Sequence, residues 1–315
     1  MSKTFLYLCP PARKSYYKTR NESYIITELE NRHHSVHVVD KLYSFNSKRY
    51  LRKHTVDGVI FNSLKVGYKS LSLLKHFRSL KIPVYWWYFD TATMDSKRRQ
   101  RVEETAKLTD VFFNKDLSEF NRYKRLGLNP VWLDQGAPSD CSEKLAGEEI
   151  FDLGFIGSYH HSHSGRFTLL KDLDTKYKLV IYSPDWKSFQ AAGFRYANPP
   201  ITQTEIGPRV AQTKIMLVLH SEKNGPYCWS DRIHLMIGSG AFCLVDHLPG
   251  LEESYLPEKH CIYFNGSAQL IEKIDYYLDK SRNRLRRQVA GAGYHWAHEQ
   301  HSYAKRVNGF LEQIQ

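Results

Sequence analysis

Short β-prone runs alternate with amphipathic segments along almost the whole chain, and this alternation limits the folds open to it. The β-prone runs of the first part are residues 5–9, 35–40, 58–62, 83–90, 110–114 and 130–133. Between them, residues 21–32, 71–80 and 97–108 have apolar side chains at helical spacing. Strands that alternate with helices predict a parallel sheet that is covered on both faces.

The composition changes around residues 135–150, where turn formers and polar residues replace apolar runs. A second alternation follows, with strands predicted at residues 151–156, 179–182, 215–219, 241–245 and 261–264. We therefore predict an α/β protein with two Rossmann-like doubly wound domains, residues 1–138 and 150–300, and a C-terminal helix at 301–315 that packs back. Because such sheets bind ligands at the carboxyl ends of their strands, we expect a site in a cleft between the domains.

Membrane and disulfide-based classes do not fit the sequence. No run approaches the roughly 18 apolar residues of a transmembrane helix, and the N-terminal apolar segment is too short for a signal peptide. The five cysteines are far apart and never in C-x-x-C spacing, which is typical of reduced thiols. We expect a cytoplasmic protein, in a bacterium or a virus-infected host.

The positive charge is concentrated in the first part of the chain. Of the formal net charge of +12, residues 1–130 hold 25 Lys and Arg against 12 Asp and Glu, a net of +13, whereas residues 131–315 have a net of −1. This asymmetry indicates a polyanionic partner such as DNA, although a basic solvated face is the simpler alternative. The candidate acceptor-binding residues are Arg13, Lys14, Arg20, Lys48, Arg49, Arg98 and Arg99.

Several strand ends carry residues suited to a nucleotide. Gly157 and Ser158 follow a predicted strand and precede a helix, where backbone N–H groups can face a phosphate, and Arg166 and Arg232 can add charge-assisted contacts. Tyr182 and Asp185 end the next strand, where they would line a nucleobase slot. From spacing alone, a plain turn explains each of these positions equally well.

Two motifs that suggest metal are given other interpretations. The histidines at 160, 161 and 163 lack helical i, i+4 spacing and a nearby acid, so we interpret them as a polar loop or a diphosphate contact. Asp172 and Asp174 form a D-x-D at a predicted helix end among lysines, where we predict a surface turn. No metal site is expected.

The motifs together resemble the CgeB-like (spore-maturation) group 1 glycosyltransferases. The matching stretches are DLGFIGS, YSPDW, SDRIHLMIGSGAFCLVDHLPGLEE, FNGSAQLIEKIDYYL, AGYHWAHEQHSYAKR and, in the first domain, YWWYFDT. The resemblance covers most of residues 84–310 and is stronger in the second domain.

The resemblance implies a GT-B fold in which the second domain holds a nucleotide-sugar, most simply a UDP-sugar, and the first holds the acceptor. Carried over, the donor contacts are Gly157, Ser158, Asp185, Arg232 and Glu252, to which we add Glu253. His234 stands where the family has a Glu that holds the donor ribose, and a neutral His can still hydrogen-bond a hydroxyl. No cofactor is required, because basic side chains stabilise the leaving diphosphate in this fold.

Asp90 ends a strand of the first domain and is the candidate general base for the acceptor hydroxyl if the reaction inverts configuration. If the reaction retains configuration, Asp90 positions the acceptor, and a helix N-cap is the non-functional alternative.

Four hypotheses follow. The first is transfer of a sugar to hydroxymethyl-pyrimidine bases in viral DNA. The second is the same chemistry on a cell-envelope or spore polysaccharide, or on a phosphorylated carrier. The third is a GT-B-shaped binding protein without transfer activity, suggested by His234. The fourth is a nucleotide-sugar epimerase.

Overall fold

The computed structural model describes residues 2–9, 21–91, 96–138, 148–159, 164–201, 203–220 and 227–315, and the structural statements below concern these residues. The chain divides into two compact units. The first unit comprises Met1–Gln135, Asn224–Cys228 and Tyr303–Gln315, and the second comprises Gly136–Lys223 and Trp229–Ser302.

A six-stranded sheet forms the centre of the first unit. Its strands are β1 (Thr4–Leu8), β2 (Ser35–Val39), β3 (Gly58–Phe61), β4 (Val84–Tyr88), β5 (Val111–Asn114) and β6 (Pro130–Trp132). All neighbours pair in parallel, in the order β2-β1-β3-β4-β5-β6. The strand order therefore reverses between β1 and β3, which is the topological switch point of this sheet.

The alternating side chains of β4 explain why this sheet is buried on both faces. All five of its residues are buried. Trp86 and Tyr88 pack with Phe61 in a cluster on one face, whereas Tyr85 and Trp87 pack in a second cluster on the other. Because successive side chains of a strand point to opposite faces, a continuous aromatic run is the pattern of a strand with helices on both sides.

The helices of the first unit follow its strands. They are α1 (Asn21–Glu30), α2 (Ser47–Leu51), α3 (Leu64–Lys69), α4 (Leu71–Ser79), α5 (Ser96–Ala106) and α6 (Phe120–Arg125), with short 3-10 helices at Leu42–Ser44 and Leu117–Glu119. On α4, Leu74 and Phe77 are buried whereas Lys75 and Arg78 are exposed, as the helical spacing predicts.

A second six-stranded parallel sheet forms the centre of the second unit. Its strands are β7 (Phe151–Ile156), β8 (Leu179–Tyr182), β9 (Tyr196–Asn198), β10 (Thr213–Val218), β11 (Cys243–Asp246) and β12 (Ile262–Phe264). Their order is β12-β11-β10-β7-β8-β9, so the switch point lies between β7 and β10. This is the strand order of the Rossmann dinucleotide-binding fold.

Helices of the second unit pack around this sheet and its hydrophobic core. They are α7 (Ser164–Lys176), α8 (Trp186–Ala191), α9 (Gln203–Ala211), α10 (Arg232–Gly238), α11 (Leu251–Ser254), α12 (Gly266–Leu278) and α13 (Asn283–Gln300). The chain then returns to the first unit, where α14 (Tyr303–Gln313) packs on α1. The rings of Tyr303 and Tyr24 stack there with centroids 5.1 Å apart, so the C-terminal helix packs back on the first unit.

The prediction of two doubly wound parallel sheets is confirmed, but one local prediction is wrong. Asp172 and Asp174 lie inside α7 and not in a surface turn. Asp174 is only 3% exposed, and its carboxylate accepts hydrogen bonds from the Arg195 backbone N–H (3.3 Å) and Nε (3.4 Å). The D-x-D therefore has a structural role at Asp174, because a buried carboxylate needs such donors.

No helix among the described residues is long and apolar enough to cross a membrane.

Candidate functional site

Two arginines of the second unit share one aromatic ring. The guanidinium carbon of Arg166 lies 5.5 Å, and that of Arg232 5.9 Å, from the centroid of the Phe155 ring in β7. Arg166 Nη2 donates to the Ser158 carbonyl oxygen (2.9 Å), just past β7, and Arg232 Nη2 donates to the Leu219 carbonyl oxygen (3.1 Å), just past β10. Both side chains are thus held at the switch point of the second sheet, where doubly wound folds bind their ligands.

Within the described part of the chain, the charges of these two arginines are only partly compensated. Burial and the charge of Arg232 lower the pKa of Arg166 to about 10. Burial also lowers the pKa of Arg232, although the charge of Asp231 opposes that shift. Arg166 Nη1 and Arg232 Nε are buried and have no hydrogen-bond partner within the described ranges. A half-buried, underbonded cation pair is costly by itself and is relieved by an anion, so the pair can bind a diphosphate.

Gly157 supports the arginine pair through its lack of a side chain. A Cβ at this position would lie 2.6 Å from the Phe155 ring and 3.4 Å from Arg232 Nη1. Its backbone N–H, which we expected to face a phosphate, donates instead to the Tyr182 carbonyl oxygen (3.2 Å). Gly157 thus leaves space for the Phe155 ring, over which both arginines lie, and its role as a donor contact stays a prediction. The next residue, Ser158, is exposed.

Tyr182 and Asp185, the two residues near the end of β8 that we predicted to contact the donor, pack or hydrogen-bond within the second unit. Tyr182 is only 5% exposed, and its predicted role in lining a nucleobase slot stays a prediction. Asp185 is half-buried, and its Oδ2 accepts the Tyr159 backbone N–H (3.0 Å). Asp185 thus fixes the turn after β7 from which the Ser158 carbonyl oxygen reaches Arg166.

Glu252 lies in the first turn of α11, just after the left-handed Gly250 (φ 93°). Its Oε2 accepts from the Gly250 backbone N–H (3.1 Å) and lies 3.1 Å from His247 Nε2. A hydrogen bond from its own backbone, and then those from His247 and Gly250, lower the pKa of this carboxyl. Glu252 is therefore a fixed, partly exposed acceptor for a hydroxyl, and the neighbouring Glu253 is exposed.

His234 is fully buried in this structure, and its expected contact with a ribose stays a prediction. The residue is 0% exposed, and its Nδ1 lies 2.9 Å from the Tyr255 hydroxyl. Its ring also lies beside that of His301, with centroids 5.6 Å apart. His234 is thus part of the interior of the second unit. Its difference from the Glu of the resembling family therefore gives no reason to infer a loss of transfer activity.

In the first unit, Asp90 follows β4 and is exposed. Arg98 Nη2 lies 3.0 Å from Asp90 Oδ2, and Arg98 Nε donates to the Tyr88 hydroxyl (3.0 Å). Arg99 forms an ion pair with Glu119 (3.5 Å). Arg98 and Arg99, predicted as acceptor-binding residues, therefore make structural contacts with side chains of their own unit, and Arg98 orients Asp90.

Of the remaining basic residues predicted to bind the acceptor, two lie among the described residues and three do not. Lys48 and Arg49 lie exposed on α2. Arg13, Lys14 and Arg20 lie outside the described residues, as do the histidines at 160, 161 and 163. Among the residues that the structure describes, no group of three or more His, Cys, Asp or Glu side chains is placed to hold a metal ion.

Sequence analysis missed a pocket in the first unit. It has a volume of about 630 Å³ and lies between the segment after β2 and the helices α3 and α4. Lys48, Lys65, Lys69 and His76 line it, and Phe45 adds an aromatic ring. The available signal was the i, i+4 spacing of Lys65 and Lys69 just after a buried strand.

Comparison with known proteins fits this geometry. Residues 166–312, which include both arginines, match the family model described as glycosyl transferase-like. A comparison with curated proteins found no match.

Solved structures match over the whole chain at low identity. Sucrose-phosphate synthase from Thermosynechococcus elongatus has a TM-score of 0.72 at 9% identity, over 99% of both chains. An alpha-glucosyltransferase in complex with UDP and a 13-mer DNA containing a HMU base has 0.70 at 14%, over 100% of both chains. HepE from Anabaena, in complex with UDP and glucose, has 0.68 at 12%, over 99% of both chains.

These findings define the class of the protein. The chain has the GT-B fold of two Rossmann-like domains, as predicted. The prediction of a glycosyltransferase agrees with the family model, which matches residues 166–312, and with this fold. The narrower resemblance to CgeB-like proteins stays a prediction.

Proposed function

We propose that the protein transfers a sugar from a UDP-sugar, held by the second unit, to a polyanionic acceptor held by the first. The observation that carries the proposal is the underbonded pair of Arg166 and Arg232 at the switch point of the second sheet. Among the similar structures, HepE binds UDP and glucose and the alpha-glucosyltransferase binds UDP, which favours uridine in the donor.

The arginine pair fits the chemistry of the departing nucleotide. When the bond between the sugar and the diphosphate breaks, negative charge grows on the diphosphate oxygens. Two guanidinium groups that are already fixed by the carbonyl oxygens of Ser158 and Leu219 stabilise this charge without reorganising. Because burial weakens competing solvation, their attraction to the leaving group is larger than on an open surface.

Glu252 and Asp90 complete the proposed machinery. Glu252, fixed by the Gly250 backbone N–H, accepts a hydrogen bond from a donor hydroxyl. Asp90, oriented by Arg98, accepts the proton of the attacking hydroxyl in an inverting reaction or positions the acceptor in a retaining one. Glu253 and Ser158 are exposed and are retained as donor contacts.

For the acceptor, we propose hydroxymethyl-pyrimidine bases in DNA. The support is the net charge of +13 in residues 1–130, together with the HMU-containing DNA bound by one of the similar structures. The described cysteines at positions 9, 228, 243 and 261 are buried free thiols, which favours a reducing compartment such as the cytoplasm.

The test combines donor binding with product mass. We expect UDP-glucose or another UDP-sugar to raise the melting temperature, because a ligand that binds only the folded state stabilises it. Duplex DNA containing 5-hydroxymethylcytosine or 5-hydroxymethyluracil should then gain the mass of one sugar per modified base. If an anionic polysaccharide gains sugar while DNA stays unmodified, the acceptor is the polysaccharide and not DNA. If the donor is isomerised in the absence of any acceptor, the protein is an epimerase. No stabilisation by any nucleotide-sugar would overturn the donor site itself.

A further inference from the structure

A chain of hydrogen bonds in the first unit connects the exposed Asp90 with a buried carboxylate. Arg98 pairs with Asp90 (3.0 Å) and donates from Nε to the Tyr88 hydroxyl (3.0 Å). The Tyr88 hydroxyl donates to the Thr91 carbonyl oxygen (3.2 Å), and the Thr91 hydroxyl donates to Asp116 Oδ2 (2.5 Å). The residues on both sides of the Phe89-Asp90 dipeptide are therefore joined to each other and to Asp116.

Asp116 is the fixed end of this chain. It is 0% exposed and precedes the 3-10 helix Leu117–Glu119, where its Oδ1 accepts hydrogen bonds from the Ser118 backbone N–H (3.2 Å) and the Ser118 hydroxyl. Its own backbone N–H donates to Asn114 Oδ1 (2.5 Å), at the end of β5. Because a buried carboxylate needs such donors, Asp116 cannot move without losing them, and Thr91 is thereby tied to the sheet.

Tyr88 joins the chain to the core of the first unit. It is 1% exposed, and its ring packs on that of Trp86 with centroids 4.8 Å apart. Burial, and then the charge of Asp90, raise the pKa of the Tyr88 phenol. The hydroxyl therefore stays protonated and donates to Thr91 while it accepts from Arg98. Hydrogen bonds that follow one another in this way polarise and strengthen each other.

We propose that Tyr88, Thr91 and Asp116 are positioning residues that hold Asp90 in place against the attacking hydroxyl. This inference rests on the proposed function for the role of Asp90. The Asp90 side chain is 68% exposed, and an exposed carboxylate exchanges among rotamers unless its neighbours fix it. A general base acts only within hydrogen-bond reach of the proton that it accepts, and a displacement of about 1 Å can cost ~10²-fold in rate.

The test begins with single variants and the rate of sugar transfer. Tyr88→Phe keeps the buried ring but removes the hydroxyl between Arg98 and Thr91, and Thr91→Val removes the hydrogen bond to Asp116. We expect each to lower kcat roughly 10-fold, with unchanged KM for the donor and unchanged stabilisation by it. Thr91→Ser retains the hydroxyl and should restore most of kcat. Tyr85→Phe, which removes a hydroxyl on the other face of β4, is the control.

Combination with Asp90→Asn separates positioning from a merely structural role. If Tyr88 and Thr91 act through Asp90, Tyr88→Phe and Thr91→Val should have almost no further effect on kcat once Asp90 is changed, because residues that act as a unit are not additive. If they only support the fold, their losses should multiply with that of Asp90→Asn. Multiplied losses would overturn the inference, as would single variants that transfer sugar as fast as Tyr85→Phe.

The outcomes separate this inference from the proposed function. The same cycle is measured on hydrolysis of UDP-glucose, with water as the acceptor, so that it can be read even if DNA is not modified. If Asp90→Asn loses activity and the other losses multiply with it, the proposed function stands and the positioning role fails. If Asp90→Asn is as active as the unmodified protein in both reactions, Asp90 and its positioning residues have no part in the reaction.

Discussion

Arg166 and Arg232 converge on the ring of Phe155 from different helices, with guanidinium carbons 5.5 and 5.9 Å from its centroid. Two like charges are thereby held near each other and partly away from water. Such an arrangement lowers the stability of the ligand-free fold and favours the binding of an anion. Removing one of the two charges should therefore raise the free energy of unfolding and weaken ligand binding.

The first prediction concerns Arg166→Gln. Because the folded-state pKa of Arg166 is lowered to about 10, from the usual 12.5, the cost of its charge is fully present below pH 10 and is relieved as pH rises through 10. Near pH 7 the variant should therefore raise the free energy of unfolding of the ligand-free protein, by on the order of 1 kcal/mol. It should also lose most of the stabilisation by a UDP-sugar. Thermal melts with and without the donor measure both effects, and a destabilised ligand-free variant would contradict the account.

The second prediction concerns the space at Gly157. In Gly157→Ala the new methyl group would lie 2.6 Å from the Phe155 ring, so the ring must shift, and the arginines that lie over it shift with it. We expect donor affinity to fall roughly 10-fold, because the misplaced guanidinium loses its charge-assisted contacts. Gly165→Ala is the control, since a Cβ there meets nothing within 4 Å. Similar donor affinities for the two variants, measured by calorimetry, would show that the space at Gly157 is unimportant.

A third prediction separates donor binding from transfer. Asp90→Asn keeps the size of the side chain but removes the carboxylate that pairs with Arg98. If Asp90 is the general base, the rate of sugar transfer should fall about 10²- to 10⁴-fold, with unchanged stabilisation by the donor. Glu30→Gln, an exposed change in the same unit, is the control. If the transfer rate of Asp90→Asn stays within a fewfold of that of the unmodified protein, Asp90 is not the general base.

A fourth prediction tests the structural role of the D-x-D. Asp174→Ala should lower the free energy of unfolding by about 1–2 kcal/mol, because it removes a buried carboxylate that accepts hydrogen bonds from the Arg195 backbone N–H and Nε. Asp172→Ala, on the exposed side of α7, should change it by less than about 0.5 kcal/mol. Denaturant unfolding measures both variants. Equal effects would contradict the structural role of Asp174 and favour a surface turn.

The sequence predicted the architecture well because strand and helix periodicities differ clearly in long apolar segments. The run Val84–Tyr88 has no alternation of polar and apolar residues, and it is the strand buried on both faces. Short elements such as α2 and β9 were missed, because five or three residues carry too little periodicity.

The candidate site was predicted unevenly. Arg166 and Arg232 were identified from their place beside strand ends, and the structure brings both to Phe155. The burial of His234 and Tyr182 was not predicted, since the sequence does not tell which face of a helix or strand end turns inward. The pocket that Lys65 and Lys69 line was not predicted, because Phe45 and Lys48 come together with them only in the tertiary fold.

The most direct test of the account is calorimetry of UDP and UDP-glucose with the unmodified protein, Arg232→Gln and Lys176→Gln. Lys176 is an exposed lysine at the end of α7, so its loss removes one positive charge from the second unit without touching the arginine pair. The account predicts that the unmodified protein and Lys176→Gln bind both ligands and that Arg232→Gln loses most of this affinity. Binding that is equally strong in Arg232→Gln, or absent from the unmodified protein, would contradict the assignment of the donor site.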